Sequence, residues 1–336
     1  MKLLVLSGDA VRSVLSYPRC ADAMRSGLAA RARGEVFQPL RTMLNPQDAP
    51  GLMALMPSFQ AGTGYGLKAI TVTPGNPAGG LDSHQGIVLL SSEQTGQPLA
   101  VLNASAVTEI RTAAVSAVAT ELLAAPGADV LAVLGTGVQA RSHLMAIAAT
   151  IPLGEVRVAG SAPARAATFA AEVAPAALAE VGVTGVRVTG CDSAKAAVDG
   201  AGIVVTATTS PVPVLERGWL APGTHVNAVG ACLPHARELD TETVADAALF
   251  ADSRESVLAE SGDYLLAAAE GAVGPDHIRA EIGDLLASLA PGRGRREHTE
   301  ITIFESLGLA VEDLAAAAAA YEAARETSAG NWMEFD

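Results

Sequence analysis

The chain has 336 residues, more than one hydrophobic core usually organises, so two domains are expected. Hydrophobic residues make up 50% of the sequence and charged residues 17%, which is typical of a globular protein. The formal net charge of -14 at pH 7 argues against nucleic-acid binding, because the overall field of the protein repels phosphates.

The sequence shows no sign of a disulfide framework, a metal site or a membrane segment. Its three cysteines are scattered without a C-x-x-C pair. The apolar N-terminus meets Gly8-Asp9 too early for a signal peptide, and no apolar run is long enough to span a bilayer. We therefore expect a cytoplasmic protein that binds no metal and no membrane.

The first third of the chain predicts helices followed by a run of strands. Ser7-Gly8-Asp9 is typical of a helix start, and an amphipathic helical pattern over residues 17–33 ends at Gly34. Short strands separated by glycine and proline turns follow, without a helical pattern between them. They are expected at residues 40–44, 52–57, 64–73, 86–91 and 98–102. Such a run predicts an antiparallel sheet.

A helical pattern over residues 104–123 ends at Pro126-Gly127, and strands then alternate with helices. The expected strands lie at residues 130–134, 155–159, 186–188, 203–207, 225–229 and 248–251. Six strands with helices between several of them are typical of a doubly wound parallel sheet. The basic, glycine-rich loop at residues 292–296 is interpreted as a solvated turn.

A last short strand at residues 300–304 leads into a helix from residue 309 to about residue 327. Alanine is the best helix former, so the alanine run at 315–320 predicts an ordered helix. We expect this helix to pack on the first domain. The predicted fold is α/β with two domains, an α+β domain of residues 1–125 and 309–336 and a Rossmann domain of residues 126–308.

The first strand of the alternating region runs directly into a glycine turn, Gly135-x-Gly137-x-x-Ala140, and a helical pattern follows. Gly135 permits the tight turn, Gly137 lets the backbone approach a pyrophosphate, and Ala140 lets the helix pack close to the strand. The helix N-terminus offers unpaired N–H groups to phosphates. This arrangement predicts a dinucleotide site.

The end of the second strand contacts the adenosine ribose in this fold, and here it carries no acidic residue. A carboxylate at this position would accept from the 2′-hydroxyl of NAD. Ser161 and Arg165 are suited instead to a 2′-phosphate, although Arg165 also fits a solvated helix position. NADP(H) is therefore favoured, and NAD(H) stays open as the second choice.

Three cations of the first domain occupy positions that face an apolar core. Strand alternation puts Lys68 and Arg41 on apolar faces, and helical spacing puts Arg111 on an apolar stripe. A buried cation is costly unless an anion meets it. Glu109 could pair with Arg111 and Glu35 with Arg41, but three such cations together favour a shared anionic ligand, most simply a carboxylate.

A set of short motifs spans nearly the whole chain. It consists of Gly66-Leu67-Lys68, Ser83-His84-Gln85-Gly86, Arg111-Thr112-Ala113-Ala114, the glycine turn, Asn227-Ala228-Val229-Gly230, and Phe304-Glu305-Ser306-Leu307-Gly308 with Val311-Glu312-Asp313. Together they resemble the ornithine cyclodeaminase/mu-crystallin family. The resemblance implies a homodimer, in which the domain built from both chain ends binds substrate and dimerises and the Rossmann domain holds the cofactor.

The resemblance also implies roles for individual residues. Arg41, Lys68 and Arg111 would hold the substrate carboxylate, while Ser83 and His84 would face substrate and nicotinamide. The residues expected to line the cofactor, with those of the glycine turn and the second strand included, are Ser83, His84, Arg111, Thr112, Gly135, Gly137, Val138, Gln139, Ser161, Arg165, Thr206, Ala207, Thr208, Val229 and Ser306. His84 equally fits a satisfied, half-buried histidine, and Asn227 equally fits a bridge at a strand end.

The chain departs from the cyclodeaminase members of the family. Where those enzymes carry an aspartate held to be the catalytic acid/base and a following lysine, this chain has Cys232 and Ala236, and Ala54 replaces a glutamate. Cyclodeamination needs a proton shuttle, so these departures disfavour it. Cys232 is expected to be a small buried filler.

The favoured function is NAD(P)H-dependent reduction of a small 2-imino acid to the amino acid. Δ1-pyrroline-2-carboxylate and Δ1-piperideine-2-carboxylate are the family's typical substrates. Lys68, its pKa lowered by two arginines and partial burial, would protonate the imine, and His84 is the second candidate for this role. The alternatives are alanine dehydrogenase-like reductive amination of a 2-oxo acid, ornithine cyclodeamination, and a mu-crystallin-like protein that binds NADPH and a ligand without required turnover.

Overall fold

A computed structural model describes residues 2–335, and its internal contacts divide the chain into two compact units. Unit 1 comprises Met1–Arg111 and Gly308–Asp336, and unit 2 comprises Thr112–Leu307. The boundary between the first segment of unit 1 and unit 2 falls inside the helix over residues 104–123, whereas the predicted domain boundary was at residue 125. Arg111 pairs with carboxylates of unit 1, whereas Thr120, further along the same helix, accepts from Asn227 of unit 2.

Unit 1 is built on an eight-stranded sheet within the described residues. Its strands are β1 (Lys2–Leu6), β2 (Val36–Phe37), β3 (Thr42–Leu44), β4 (Leu52–Gln60), β5 (Gly64–Val72), β6 (His84–Ser91), β7 (Pro98–Asn103) and β16 (Asn331–Glu334). The order is β16-β1-β7-β6-β5-β4-β2, and β3 pairs with β4. The run from β3 to β7 is antiparallel, as predicted. The strands β1, β2 and β16 were not predicted; β1 pairs parallel with β7 and antiparallel with β16.

The helices of unit 1 are α1 (Gly8–Val14), α2 (Tyr17–Ala32), α12 (Ala310–Thr327) and the part of α3 that ends at Arg111. The whole of α3 runs over Ala104–Leu123. Ser7 caps α1 by accepting from the backbone N–H of Ala10, as the helix-start pattern predicted. Gly34 follows α2 with φ +77°, a conformation that favours glycine. As predicted, α12 is an ordered helix of unit 1, and it packs on α2, β4 and β5.

Unit 2 carries a parallel sheet of eight strands in the described part of the chain. They are β8 (Val130–Leu134), β9 (Glu155–Ala159), β10 (Arg187–Gly190), β11 (Ile203–Thr206), β12 (His225–Ala228), β13 (Ala248–Ala251), β14 (Ile278–Glu281) and β15 (Thr302–Glu305). The order β10-β9-β8-β11-β12-β15-β13-β14 is that of a doubly wound sheet, which confirms the predicted fold class. The strand β14 was not predicted.

The helices of unit 2 are the rest of α3, α4 (Val138–Ala148), α5 (Pro163–Thr168), α6 (Ala174–Glu180), α7 (Ala194–Val198), α8 (Thr241–Asp246), α9 (Arg254–Glu260), α10 (Gly262–Ala269) and α11 (Ile282–Leu286). Buried Val, Ile and Leu side chains of β8, β11 and β12 form the centre of the core. Within the described residues, no helix has the length and apolarity needed to cross a bilayer.

The basic loop at residues 292–296 is more than a solvated turn. Arg293 and Arg296 are exposed, as expected, but Arg295 is half-buried. Its guanidinium donates to the carbonyl oxygens of Leu123 and Gly223 at 2.7 and 3.0 Å. The interpretation as a solvated turn was therefore wrong for Arg295, because the carbonyls that it satisfies come from distant parts of the chain.

Candidate active site

Two of the three predicted cations are buried side by side in unit 1. Lys68 Nζ lies 2.8 Å from Asp313 Oδ2, and Arg111 Nε lies 3.2 Å from Asp313 Oδ1. Arg111 Nη1 also lies 2.7 Å from Glu312 Oε2. Lys68 is 2% exposed and Arg111 5%. The first turn of α12 thus supplies two carboxylates that hold both cations in the core.

These partners differ from the ones expected from the sequence. Glu109 pairs with Arg12 at 2.9 Å, and Glu35 pairs with Arg33 at 2.8 Å. The roles of Glu312 and Asp313 were missed, although both residues stand in the motifs that carry the family resemblance. Acidic residues in the first turn of a helix ordinarily complement the helix dipole, and this common role gave no reason to seek a further one.

Gly308 brings Arg41 and Arg111 to the same point. Arg41 Nη2 donates to the Gly308 carbonyl oxygen at 3.3 Å. A Cβ on Gly308 would lie only 2.5 Å from Arg111 Nη1, so the guanidinium occupies the space that a side chain would need. Gly308 also has φ +81°, which favours glycine. Glycine is therefore required here for two independent reasons.

The environment of Lys68 suits a residue that transfers a proton. Burial lowers its pKa to about 8; Asp313 opposes this effect, and Arg111 and Arg41 add to it. The expected direction is thus correct, and burial is the largest cause. A group with a pKa near the working pH populates both protonation states, which favours general acid catalysis.

Ser83 and His84 lie at the start of β6, with Ser83 Oγ 3.0 Å from His84 Nδ1. His84 is exposed, not half-buried. Partial desolvation and then the positive charge of Lys68 lower the pKa of His84. A lowered pKa disfavours the protonated imidazole, so Lys68 is the stronger candidate for the proton donor.

The glycine turn of unit 2 has the geometry of a phosphate-binding loop. Gly135 has φ +134°, and a Cβ there would collide with the carbonyl oxygen of Ala207. Gly137 is the N-cap of α4 without a side-chain cap, and a Cβ there would meet no atom within 4 Å. The N-terminus of α4 therefore presents N–H groups beside open space, as pyrophosphate binding requires.

Among the residues of unit 2 that were expected to line the cofactor, Thr112, Gln139 and Ser306 carry buried polar atoms without a hydrogen-bond partner in the described part of the chain. These atoms are Thr112 Oγ1, Gln139 Oε1 and Ser306 Oγ. A buried polar atom left unsatisfied costs roughly 1–3 kcal/mol, so such atoms point to a missing ligand. Together with the glycine turn, they fit a nicotinamide dinucleotide.

The end of β9 provides the positions that distinguish the two nicotinamide cofactors. Ser161 and Arg165 are both exposed there. Residues 160–165 contain no carboxylate. A Cβ on Gly160 would lie 2.9 Å from Thr136 Cγ2, so this glycine lets the end of β9 approach the glycine turn.

The ends of β11 and β12 bring the remaining predicted cofactor residues together. Val229 N donates to Thr206 O at 3.1 Å, so Thr206, Ala207 and Thr208 lie next to Val229. Val138, in contrast, is exposed at the start of α4.

Asn227 and Cys232 differ in how well their expected structural roles hold. Asn227 Nδ2 donates to Thr120 Oγ1 at 2.9 Å, so the side chain bridges β12 and α3. Cys232 packs against the core of unit 2, as expected for a filler, but it is half-buried rather than buried, and its thiol donates to Val229 O at 3.4 Å. In the described part of the chain, no group of three His, Cys, Asp or Glu side chains is placed to hold a metal ion.

Comparison with known proteins identifies the family. The model of the ornithine cyclodeaminase/mu-crystallin family matches residues 1–328. The chain belongs to this family. The ketimine reductase mu-crystallin of Mus musculus is 40% identical over 290 residues, which cover 86% of each chain. The resemblance inferred from the motifs is thereby confirmed.

Two solved structures of family members are similar over the whole chain. The Δ(1)-pyrroline-2-carboxylate reductase of Thermococcus litoralis, in complex with NADH and L-proline, has a TM-score of 0.91 and 34% identity, and the match covers 98% of this chain and 99% of that one. An archaeal alanine dehydrogenase dimer with bound NAD has a TM-score of 0.90 and 32% identity over 100% of both chains. Both confirm the two-domain α/β fold.

Proposed function

We propose that this protein reduces a small cyclic 2-imino acid, of the Δ1-pyrroline-2-carboxylate or Δ1-piperideine-2-carboxylate type, with NAD(P)H. The observation that carries the proposal is the buried pair of Lys68 and Arg111 beside Arg41 in unit 1. A planar guanidinium offers paired donors that match a carboxylate. The pyrroline-2-carboxylate reductase and ketimine reductase among the relatives support a cyclic imine as the group next to that carboxylate.

The residues of unit 1 bind and orient the substrate. Arg41 and Arg111 hold its carboxylate, which fixes the plane of the ring. Glu312 and Asp313 in turn hold Arg111, so the guanidinium does not have to reorganise when substrate arrives. Because the cofactor supplies the hydride when it is bound, the protein contributes mainly by positioning.

Lys68 donates a proton to the imine nitrogen. Protonation withdraws electrons from the imine carbon and makes that carbon a better hydride acceptor. One proton and one hydride then convert the C=N bond into the CH–NH bond of the amino acid. Asp313 keeps the ammonium oriented, since its Oδ2 lies 2.8 Å from Lys68 Nζ.

The test is consumption of NADPH and of NADH with the two cyclic ketimines and with pyruvate plus ammonia. We expect turnover with a ketimine, and a Lys68→Ala variant that loses far more in kcat than in substrate binding. Turnover with pyruvate and ammonia alone would overturn the substrate assignment. A loss in kcat no larger than the loss in binding would exclude Lys68 as the donor.

Two other functions are separated by the same assay. Reductive amination of a 2-oxo acid uses the same carboxylate contacts and is favoured by the similarity to the archaeal alanine dehydrogenase. Nucleotide binding without turnover of any substrate would indicate a ligand-binding protein. Cyclodeamination is disfavoured, because Cys232 and Ala54 stand where that reaction uses carboxylates.

NADP(H) is the proposed physiological cofactor, supported by the exposed Ser161 and Arg165 and by the lack of a carboxylate in residues 160–165. The two solved relatives hold NADH and NAD, so NADH is the competing outcome. Arg165→Ala should raise the KM for NADPH several-fold and leave the KM for NADH unchanged. Equal effects on both would refute a 2′-phosphate contact.

A homodimer through the outer face of the unit 1 sheet belongs to the same proposal. Large apolar side chains are exposed on this face, among them Met53, Tyr65 and Ile87. Patches of this kind mark interfaces, and the archaeal alanine dehydrogenase relative is a dimer. Ile87→Glu should convert a dimer to a monomer in sedimentation velocity, and an unchanged dimer would exclude this face. The three free cysteines fit the reducing cytoplasm in which we place the protein.

A further inference from the structure

A fully buried carboxyl group of unit 2, that of Glu238, has no part in the mechanism above. Its Oε1 accepts from the backbone N–H of Thr208 at 2.6 Å, and its Oε2 accepts from the backbone N–H of Gly230 at 2.7 Å. Thr208 lies two residues after β11, and Gly230 lies two residues after β12. One side chain therefore joins the segments that follow two neighbouring parallel strands.

The chain makes room for this carboxyl group. A Cβ on Gly230 would lie 2.6 Å from Glu238 Cδ and would also collide with the carbonyl oxygen of Thr208. Any larger residue at position 230 would push Glu238 away and separate the two segments. Glycine here allows close approach of neighbouring chain segments and of a side chain.

A second buried acid holds Glu238 in place. Asp263 Oδ1 accepts from the backbone N–H groups of Glu238 and Leu239, at 2.8 Å each. At the other end of the same loop, Gly262 N donates to Ala231 O at 3.1 Å. The loop from residue 230 to residue 239 is thus tied to the start of α10 at both ends.

Burying two carboxyl groups carries an electrostatic cost, so we expect Glu238 and Asp263 to have a role that offsets this cost. Burial raises the pKa of Glu238, and burial raises the pKa of Asp263 to about 8. Removing a carboxyl group from water is costly even when it accepts hydrogen bonds, and a smaller apolar residue at either position would avoid the cost. The hydrogen bonds of Glu238 go to the two segments that follow β11 and β12.

We propose that Glu238 is a positioning residue that holds these two segments in the shape required by the nicotinamide half of the dinucleotide. In a doubly wound sheet the ligand crosses the carboxyl ends of the strands where their order reverses, here between β8 and β11. The glycine turn follows β8 and the adenosine contacts follow β9. The segments after β11 and β12 lie on the opposite side and serve the nicotinamide half. This inference rests on the proposed function, because that function brings the dinucleotide to unit 2.

The test compares whole and partial nucleotides in binding assays. Glu238→Gln keeps the shape of the side chain but replaces one accepting oxygen with an amide that cannot accept from a backbone N–H. We expect the Kd for NADPH to rise about 10-fold, while the Kd for 2′,5′-ADP, which lacks the nicotinamide half, stays within about 2-fold. The exposed Glu216→Gln in the same unit is the matched control and should change neither value.

Gly230→Ala supplies a second variant, because it displaces the carboxyl group without changing its charge. It should show the same selective loss of NADPH affinity. An unchanged Kd for NADPH, or an equal loss for 2′,5′-ADP, in either folded variant would overturn the inference. If the wild-type protein binds NADPH but turns over no substrate, the proposed reductase function is refuted. The comparison of NADPH and 2′,5′-ADP binding then still tests the role of Glu238. A wild-type protein that binds neither nicotinamide nucleotide refutes both.

Discussion

Replacing Asp313 with asparagine removes the anion that lies between two buried cations. In the wild-type protein, its two oxygens are 2.8 Å from Lys68 Nζ and 3.2 Å from Arg111 Nε. Removing one partner of a buried ion pair typically costs about 3–5 kcal/mol, because the remaining charge stays buried without compensation. That range is the upper limit of the expected loss in the free energy of unfolding, measured by urea denaturation.

The protein can reduce this cost by releasing the proton of Lys68. The pKa of Lys68 is already lowered to about 8, so deprotonation near neutral pH costs less than leaving the charge buried without a partner. Without Asp313 the pKa of Lys68 falls further. Because the protonated amine is the donor, wild-type kcat should fall as the pH rises through about 8. In Asp313→Asn this fall should begin at least about one pH unit lower, with kcat at pH 8 reduced at least about 5-fold.

Asp22→Asn is the matched control. Asp22 also forms an ion pair at 2.8 Å, with Arg25, but its side chain is 80% exposed. Exposed pairs contribute at most about 1 kcal/mol, so this variant should retain its stability and its pH profile. If Asp313→Asn unfolds at the same urea concentration as Asp22→Asn and its kcat profile does not move, the buried cluster does not control Lys68.

Three further outcomes are expected. Gly308→Ala should lower kcat/KM for the imino acid at least about 10-fold with little change in the Kd for NADPH, because a Cβ would displace the Arg111 guanidinium; unchanged kcat/KM would contradict this geometry. Burial raises the pKa of Asp263 from 3.8 to about 8, so the folded protein retains a proton that the unfolded chain loses between these pH values. Stability should therefore fall as pH rises from about 4 to 8, and Asp263→Asn should flatten this slope in thermal melts; an identical slope would exclude Asp263 as its source. Asn227→Ala should lower the free energy of unfolding by roughly 1–3 kcal/mol, because it leaves the buried Thr120 hydroxyl without its donor; equal urea midpoints would refute this.

The parts of the fold that depend on local pattern were predictable. The helix at residues 104–123 and the strands at 130–134, 155–159 and 248–251 have the predicted bounds. In these segments the periodicity of apolar residues and the flanking Gly and Pro signals agree. The strands β1 and β16 were missed because their pairing joins opposite ends of the chain, which no local pattern reports.

The sequence by itself predicted that a dinucleotide turn follows a buried strand, and that Lys68 and Arg111 are placed where a core requires an anion. The same expectation was wrong for Arg41, which is half-buried and precedes β3. Both conclusions rest on short-range rules, namely glycine geometry and the alternation of strand and helix faces. Only the tertiary structure decided which acids meet those cations and which carboxyl group joins the ends of β11 and β12. Asp313 is 202 residues from Arg111 along the chain, and electrostatic partners at such separation are selected by packing, because burial makes an unpaired charge too costly to remain.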